Sequence, residues 1–480
     1  MPAQIPTAHP SNRLTPLPFI NQPPMTSAIH PRRLAVLVAL LVAACSAPSV
    51  DAPPMSPSAP VAARAGSGPS VASTNPSYGD LGTTVNVHVI GSGFTAGAQA
   101  TWLLHGVADP AHVRTNSTTY VSSTELVANI TIAGDATLDY WDVQVMLAGG
   151  KNGVGTESFE ITTAQALGPG QYVYAGNESG QAAGYDGSST AWVADAAFGA
   201  LSFGEGQAWA LDPLGTMVLG RIGGTPTAWV RQGTTPTYVA VTLPISAGQS
   251  GGNASAAVRD ASGALLVGGW EVFIAKKGSS PVQRPVRWRY DGSWSAPMVY
   301  ALTPGATAGT LRGINSAGQA VGRIDDALFN GAVWDTPASP VKLDGWPRAL
   351  NSAGTLIVGG RPNGQPVYWT RTATGTWNTV GIALPSLGGT CGGEAINLND
   401  DGVVVGKSCD ARGNINAAIW RIDLSVTPAV VSGPQRLPGL GIKRGSETST
   451  AVYVSPVAPY TVVGGASAQT GGMAVRWSTW

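Results

Sequence analysis

Residue types that could support acid–base, nucleophilic or metal chemistry are scarce in this 480-residue chain. No histidine occurs between residues 164 and 480, which excludes a Ser-His-Asp triad and a histidine-ligated metal there. All five histidines lie upstream of that part, and three of them, His88, His105 and His112, follow the predicted signal peptide. We interpret His105 and His112 as exposed loop residues. The alternative is that His105 and His112 face each other across a loop. We predict no catalytic residue, no metal site and no cofactor.

Carboxylates are present, but their pattern indicates turns. The segment Asn399-Asp400-Asp401-Gly402 lacks the alternating acids and the later bidentate glutamate of an EF-type calcium loop. A glycosidase needs two carboxylates about 5 to 9.5 Å apart. Asp325, Asp326 and Asp335 are acids of the repeat region, and the sequence alone does not bring them together.

Cys391 and Cys409 are predicted to form a structural disulfide. They flank the turn at Asn399–Gly402, and antiparallel strands bring such flanking positions within reach of each other. A redox role requires an exposed Cys-x-x-Cys-like pair, which these residues are not.

The elements that position these residues are internal repeats. A turn of the form Asn/Asp-x-x-Gly recurs six times, and each copy is followed by a second glycine and then by a tryptophan. Asn or Asp at the first turn position bonds back to the backbone, and Gly at the fourth accepts a positive φ. Seven tryptophans recur at a mean spacing of about 47 residues, as in propeller blades: Trp192, Trp229, Trp288, Trp334, Trp369, Trp420 and Trp477.

About four short strands per unit and seven units predict an all-β fold with a β-propeller over residues 164–480. A parallel β-helix is the competitor, but its coils are shorter and do not use hairpin turns. The last unit stops after its third strand, and Phe159 to Leu167 matches the missing fourth one. We therefore expect seven blades, with the two ends of the array sharing the closing blade.

The repeated tryptophans are expected to pack between blades, because every unit requires one at the same place. A sugar-stacking surface is the alternative. Residues that occur in one unit only are better candidates for ligand binding: Trp209, Arg312, Arg348 and Glu394 lie on predicted first strands near a channel mouth.

The units resemble the HAF family of extracellular repeats, whose pattern is close to GINxxGQVVGxS. Gly313 to Gly322 reads GINSAGQAVG, and Leu384 to Gly389, Val403 to Ser408 and Ala417 to Trp420 follow the same family pattern. Where the family has His-Ala-Phe before the tryptophan, this chain has Ala-Ala-Ile or Gly-Ala-Val. The family has no established catalytic residues, so the resemblance implies a fold and a location only.

Residues 71–163 form a separate predicted domain. Short strands such as Val85 to Ile90 and Leu126 to Ile132 alternate with glycine-rich turns, which indicates a small β-sandwich of about seven strands. The segment resembles the TIG (IPT) family of immunoglobulin-like domains in four elements: Asn75-Pro76, Gly82-Thr83, Gly91 to Phe94 and Ser122 to Thr124.

The N-terminal part carries an expected export signal. Arg32 and Arg33 precede a short apolar run that ends in Val42-Ala43-Ala44-Cys45, which is typical of a signal peptide. It resembles the lipobox of bacterial lipoproteins, which implies that Cys45 is lipidated and becomes the first mature residue. The alternative is an ordinary signal peptide with a cysteine nearby. Met1 and Met25 are both possible starts, and residues 45–70, rich in Pro, Ala and Ser, are predicted to be a disordered tether.

Taken together, these features predict a protein of the outer membrane, facing the periplasm or the cell surface and held by the lipid on Cys45. The net formal charge is zero, and only 11% of residues are charged, which argues against nucleic-acid binding. We expect a monomer that acts as a non-catalytic binding or structural module for a protein or glycan partner. A polysaccharide-active hydrolase or lyase with carboxylates on the propeller face is the alternative, and a pure scaffold is the third hypothesis.

Overall fold

The computed structural model describes residues 68–478 except 234–235, 274–279, 326–329, 443–447 and 469–470. The predicted signal peptide, the lipidation site at Cys45 and nearly all of the predicted tether lie outside these described residues. Within them the chain has no helix and folds entirely into β-strands and their connections. The all-β prediction is therefore confirmed.

The first nine strands form two sheets. They are, in chain order, β1 (Ser70–Asn75), β2 (Tyr78–Asp80), β3 (Thr84–Ser92), β4 (Gln99–Leu104), β5 (Val107–Ala108), β6 (Val113–Ser122), β7 (Glu125–Ile132), β8 (Tyr140–Met146) and β9 (Asn152–Thr162). One sheet has the order β1-β3-β7-β6 and the other β2-β9-β8-β4-β5. Only β2 and β9 pair in parallel among these strands.

These two sheets enclose one apolar core. Along β7 every second residue is buried, which is the period-2 pattern of a strand with one face covered. Val87 and Ile130 of the first sheet pack in the same buried cluster as Trp102, Trp141 and Phe159 of the second. Sheet-on-sheet packing of this kind makes residues 70–162 a β-sandwich.

Twenty-eight further strands form seven four-stranded sheets in the described residues. The first three sheets are β11 (Tyr172–Gly176), β12 (Ala182–Tyr185), β13 (Thr190–Asp195) and β14 (Gly199–Glu205); then β15 (Gln207–Leu211), β16 (Met217–Ile222), β17 (Thr225–Gln232) and β18 (Thr237–Thr242); then β19 (Gln249–Arg259), β20 (Leu265–Phe273), β21 (Val282–Tyr290) and β22 (Met298–Val299).

The next three sheets are β23 (Ala308–Ile314), β24 (Ala320–Asp325), β25 (Gly331–Trp334) and β26 (Pro340–Leu343); then β27 (Trp346–Leu350), β28 (Leu356–Gly360), β29 (Pro366–Thr370) and β30 (Ile382–Ala383); then β31 (Gly388–Leu398), β32 (Val403–Asp410), β33 (Ile415–Asp423) and β34 (Val430–Arg436). Each of these six sheets is an antiparallel meander of four consecutive strands.

The seventh sheet joins distant parts of the chain. It has the order β10-β37-β36-β35, where β10 is Ala164–Pro169, β35 is Ser449–Val454, β36 is Thr461–Ala468 and β37 is Gly471–Ser478. The expected fourth strand therefore begins at Ala164, which pairs with Trp477. The prediction that this strand starts at Phe159 is wrong, because Phe159 lies on β9 and packs edge-on against Trp102 in the sandwich core.

Successive sheets contact one another in chain order. One strand of each sheet touches the corresponding strand of the next, and we call these seven the inner strands: β11, β15, β19, β23, β27, β31 and β35. The last of them, β35, also contacts the first, β11.

The repeated turns have the predicted chemistry. In all six Asn/Asp-x-x-Gly copies the glycine amide donates to the carbonyl of the first turn residue at 2.8–3.3 Å, and the glycine has a positive φ of 62–86°. Several turn asparagines also reach the neighbouring sheet. The amide Nδ2 of Asn315 donates to the carbonyl of Asn351 at 3.2 Å, and that of Asn399 donates to Ser455 at 2.9 Å.

The seven repeated tryptophans are all at most 5% exposed, as predicted for core packing. Trp288, for example, packs with Leu219 and Ala228 of the preceding sheet. Its indole Nε1 donates to the carbonyl of Pro244 in the connector before β19 at 2.7 Å, and Trp334 and Trp420 make the equivalent bond to their own connectors. In these three sheets the tryptophan thus contacts both the preceding sheet and the incoming chain, whereas Nε1 of Trp192 has no hydrogen-bond partner among the described residues.

A buried carboxylate holds the sandwich against the sheets that follow it. Glu160 on β9 is fully buried and accepts hydrogen bonds from Arg436 Nη2 at 2.6 Å and from the amides of Gly439 and Gly441 at 2.8 Å. Tyr140 adds a bond from its hydroxyl to the carbonyl of Ile442. Three donors on one carboxylate compensate for its removal from water.

The predicted disulfide between Cys391 and Cys409 is present. Their Cα atoms are 5.5 Å apart, within the range that a disulfide bridges without backbone distortion. It ties the irregular start of β31 to the end of β32, at the end of the hairpin opposite the turn at Asn399–Gly402.

Candidate functional site

Every inner strand has a β-bulge at the corresponding place, and β19 and β31 have a second irregularity nearer their beginning. The bulged residue has no partner in the pairing with the second strand of its sheet, and we call these seven the bulge residues: Tyr174, Trp209, Ser255, Arg312, Arg348, Ile396 and Val452. A bulge bends its strand and redirects the side chain that it carries.

All seven bulge residues line one cavity of about 330 Å³, which we call the central cavity. Its volume lies within the usual range of small-ligand sites. The chemistry of its wall is uneven, because Ile396 and Val452 contribute aliphatic groups while Tyr174, Trp209, Arg312 and Arg348 contribute aromatic and cationic ones. Ser255 uses its hydroxyl to bond the carbonyl of Leu311 at 2.7 Å.

An aromatic cluster forms part of this wall. The rings of Tyr174 and Trp209 are 4.5 Å apart, and Tyr185 stacks on Tyr174 at 5.0 Å with an interplanar angle of 7°. Tyr174 is 37% exposed. The indole Nε1 of Trp209 is buried and has no hydrogen-bond partner among the described residues. A donor in this position is available to a ligand.

Arg312 lies beside the aromatic cluster. Its guanidinium carbon is 5.8 Å from the ring centre of Trp209 and 5.0 Å from that of Trp270, which is within the range of cation–π attraction. The nearby Arg323 stacks on Trp346 at 4.1 Å. In the described part of the chain, Nε of Arg312 and Nε of Arg323 are both buried without a hydrogen-bond acceptor.

Arg348 differs from Arg312 because it has a carboxylate partner. Its Nε lies 2.6 Å from Oε1 of Glu394, and Lys407 Nζ lies 3.9 Å from Oε2 of the same carboxylate. The side chain of Glu394 is 13% exposed and that of Arg348 is 28% exposed, so water reaches the arginine from the cavity. The lining of the cavity therefore carries two guanidinium groups, those of Arg312 and Arg348. Glu394 and Lys407 are adjacent to Arg348 without being part of the lining.

Burial and mutual repulsion shape the ionisation of this group. Burial, followed by the positive charges of Arg348 and Arg323, lowers the pKa of Arg312 to about 9, so the side chain stays protonated at neutral pH. Burial also lowers the pKa of Arg323. Burial alone would raise the pKa of Glu394, but the adjacent Arg348 outweighs it and holds this pKa below its ordinary value.

The four residues predicted as ligand candidates thus lie together, although not all in the predicted way. Trp209, Arg312 and Arg348 line the central cavity at equivalent bulges. Glu394 lies two residues before the bulge of β31, and its carboxylate holds Arg348. Sequence reasoning missed Tyr174. A usable signal existed, because Tyr174, Trp209, Arg312 and Arg348 each stand three residues before the first residue of an Asn/Asp-x-x-Gly turn.

The acids Asp325 and Asp335 and the three histidines of the sandwich do not line the central cavity. Asp335 accepts from Arg371 at 2.6 Å, whereas Asp325 lines a neighbouring cavity and Asp326 lies outside the described residues. The three histidines each contact a carboxylate within the sandwich: His88 with Glu125, His105 with Asp139 and His112 with Asp109. His105 and His112 do not pair with each other.

The described residues contain neither a metal-binding cluster of side chains nor a membrane-spanning helix. No group of three or more His, Cys, Asp or Glu side chains in them is arranged to hold a metal ion. None of the secondary structure in the described ranges is a helix with the length and apolarity needed to cross a membrane.

Comparison with known proteins identifies no family. No family model and no curated protein matches the chain. Among solved structures, the acylaminoacyl peptidase of Pyrococcus horikoshii is 12% identical with a TM-score of 0.36, covering 62% of this chain and 49% of that one. An acylaminoacyl peptidase in complex with Z-Gly-Gly-Phe-chloromethyl ketone is also 12% identical, at 64% and 51% coverage and a TM-score of 0.37.

The chain spans about half the length of these two peptidases. A DUF4784 family protein from Bacteroides caccae is 10% identical over 84% of this chain and 94% of that one, with a TM-score of 0.27. TM-scores this low support no conclusion about the fold or activity of this chain. The description of its fold rests on its own structure.

Proposed function

We propose that this chain is an exported, lipid-anchored protein of the outer membrane that binds a glycan or protein ligand in its central cavity without transforming it. In this proposal Cys45 carries the lipid, residues 45–70 form the tether and residues 71–163 are a TIG-like immunoglobulin domain. Residues 164–480 are HAF-type repeats that form a seven-bladed β-propeller and face the periplasm or the cell surface.

The order in which the sheets contact one another supports the propeller. Seven four-stranded sheets follow one another, each inner strand touches the next, and β35 touches β11. The seventh sheet is completed by β10, so the two ends of the array share one blade. Blades arranged around an axis place their inner strands around a common channel, which accounts for seven equivalent bulges on one cavity.

The observation that carries the binding function is the wall built by the bulge residues. Six of the seven inner strands are followed by the same Asn/Asp-x-x-Gly turn, yet the bulge residue is of six different types across the seven sheets, with only Arg312 and Arg348 alike. Repeated positions with the same residue serve packing, as the seven buried tryptophans do. Varied aromatic and cationic residues around a cavity are what ligand recognition requires.

Binding without turnover is favoured by the state of Glu394. Its pKa is held below the ordinary value and its Oε1 accepts from Arg348, so at neutral pH it is an ionised acceptor and a poor general acid. A polysaccharide-active hydrolase or lyase is the second candidate, because Glu178 and Asp400 also line the cavity.

A glycan array probed with the purified full chain, followed by turnover assays on every polysaccharide that binds, tests this proposal. We expect binding that Trp209→Ala weakens at least roughly 10-fold, as for a central aromatic anchor, and no release of reducing ends or unsaturated products. The control is Trp294→Ala, because Trp294 also packs on a tyrosine, Tyr290, at 5.0 Å but is absent from the cavity wall. Turnover that Glu178→Gln or Asp400→Asn abolishes would establish the enzyme instead.

A further inference from the structure

We propose that the central cavity recognises an acidic oligosaccharide, whose carboxylate is bound by Arg312 and Arg323 and whose sugar ring packs on Trp209 and Tyr174. The inference rests on the proposed binding function and adds the chemical class of the ligand.

The first observation is that most half-buried arginines of this chain have a side-chain hydrogen-bond acceptor, which is neutral for Arg221 (Gln207 Oε1) and Arg287 (Met298 Sδ). Six of them have a carboxylate oxygen within 3.2 Å: Arg259 with Asp212, Arg289 with Asp260, Arg348 with Glu394, Arg361 with Asp344, Arg371 with Asp335 and Arg436 with Glu160. Within the described residues, Arg312 and Arg323 have no such partner. Their guanidinium groups stack on tryptophan rings instead, and the charge of Glu394 acts on both only from a distance.

Leaving two such cations without an anion is unfavourable in the ligand-free protein. A buried charge without a hydrogen-bonded counter-ion costs several kcal/mol of desolvation. Arg348 adds positive charge to the lining of the central cavity, and Glu394 is already engaged by Arg348 and Lys407. An anion from outside the chain would relieve this arrangement, and the planar guanidinium fork suits a carboxylate.

The second observation selects a sugar rather than a simple anion or a peptide. Two donors with no partner in the described chain belong to residues that line the same cavities as the two arginines: Trp209 Nε1 in the central cavity and Thr310 Oγ1 in the cavity shared by Arg312 and Arg323. A ligand rich in hydroxyl groups can satisfy several such atoms at once. Trp209 and Tyr174, 4.5 Å apart, offer the flat aromatic faces that suit the apolar face of a sugar ring.

Arg312 and Arg323 share more than charge. Both line a second cavity of about 430 Å³ that adjoins the central one, and Arg312 lines both cavities. A carboxylate held between these side chains would lie at the junction, with room on either side for the neighbouring sugar units. This geometry favours an oligosaccharide over a monosaccharide.

The test is calorimetric titration of the full chain with tetrasaccharides of galacturonate and of mannuronate, and with their carboxyl-reduced counterparts. We expect at least one acidic tetrasaccharide to bind and its reduced form to bind about 10- to 100-fold more weakly, the range for charge-assisted hydrogen bonds. Arg312→Met should abolish this preference. Arg114→Gln, an exposed sandwich arginine changed by the same unit of charge, is the control.

A second readout does not depend on the ligand chosen. Because Arg312 lacks a counter-ion, Arg312→Met should raise the Tm of the ligand-free protein by a few degrees. A fall in Tm, together with an unchanged preference for acidic sugars, would assign Arg312 a purely structural role and overturn the inference.

The outcomes separate the inference from the function on which it rests. Equal binding of acidic and reduced tetrasaccharides, weakened by Trp209→Ala, refutes the carboxylate site and leaves the binding function standing. Preferential binding of an acidic peptide such as oligoglutamate refutes the sugar class. Failure of every acidic tetrasaccharide to bind at millimolar concentration refutes the inference, and an additional lack of any glycan or protein ligand refutes the function itself.

Discussion

Replacement of Glu394 by glutamine tests whether the cationic wall of the central cavity is held in place by one carboxylate. Glu394 Oε1 is 2.6 Å from Arg348 Nε, and the two side chains are 13% and 28% exposed. Breaking a fully buried pair costs about 3–5 kcal/mol, and breaking an exposed one costs less than about 1 kcal/mol. The pair is mostly withdrawn from water, so we expect a loss of roughly 2–3 kcal/mol.

That loss converts into a measurable shift of Tm. If roughly 315 residues unfold together at about 2.1 cal/mol/K per residue, the entropy of unfolding is about 0.66 kcal/mol/K and Tm falls by about 3–5 °C. Differential scanning calorimetry at pH 7 measures it. Asp291→Asn is the control, because it removes an exposed partner of Arg289 and should shift Tm by less than about 1 °C.

The same variant carries a pH signature. The folded-state pKa of Glu394 lies below its ordinary value of 4.5, so the stabilisation by its charge is fully present above pH 4.5. It is lost as the pH falls through the lower folded-state pKa. The difference in Tm between the wild-type chain and Glu394→Gln should therefore shrink in acid.

A double-mutant cycle completes this prediction. Arg348→Met combined with Glu394→Gln should destabilise the chain by less than the sum of the two single changes, since each single change leaves an unpaired polar group. An unchanged Tm in Glu394→Gln at pH 7, or strict additivity in the cycle, would refute the pairing on which the electrostatics of the site are based.

Three further changes test the framework around the cavity. Glu160→Gln should lower Tm by several degrees, since Arg436 and two backbone amides lose a charged acceptor worth about 3–5 kcal/mol in a buried pair; calorimetry measures this effect. Reduction of the disulfide between Cys391 and Cys409, or its replacement by serines, should cost up to about 3 kcal/mol for its 18-residue loop, measured by thermal unfolding with and without reductant. Trp334→Phe should cost about 1 kcal/mol for the lost bond to its connector, and Trp334→Ala about 3–5 kcal/mol for the cavity, measured by calorimetry at one pH.

Much of the architecture is readable from the sequence because it depends on local chemistry. The Asn/Asp-x-x-Gly turns require a backbone-bonding side chain and a residue that tolerates positive φ, and both requirements are visible in the residue types. The regular tryptophan reports a buried position in each sheet. The disulfide follows from the two cysteines that flank one hairpin.

Elements without a local signal were missed or misplaced. Strand β6, Val113–Ser122, lies at the edge of its sheet and is mostly exposed, so it lacks the apolar alternation that marks a half-buried strand. Phe159 was assigned to the closing sheet because its neighbours resemble the fourth strands. It lies in the sandwich core because β9 pairs with β8; strand pairing is a long-range contact that the residue pattern does not encode.

The site was predicted in its residue types and not in its geometry. Trp209 and the arginines Arg312 and Arg348 differ from the residues at the same place in most other units, which marks them as candidates. Their convergence depends on bulges in separate sheets, and a bulge is set by the register of two strands. The pairing of Glu394 with Arg348 spans two sheets and has no sequence signature.

An experimental structure of the full chain bound to the glycan or protein that it captures is the most direct test of a ligand-binding propeller. The account predicts that the ligand lies in the central cavity, in contact with Trp209 and Tyr174 and within hydrogen-bond distance of Arg312. A ligand bound to the sandwich, or to the outer strands of the seven sheets with the cavity wall untouched, would contradict it.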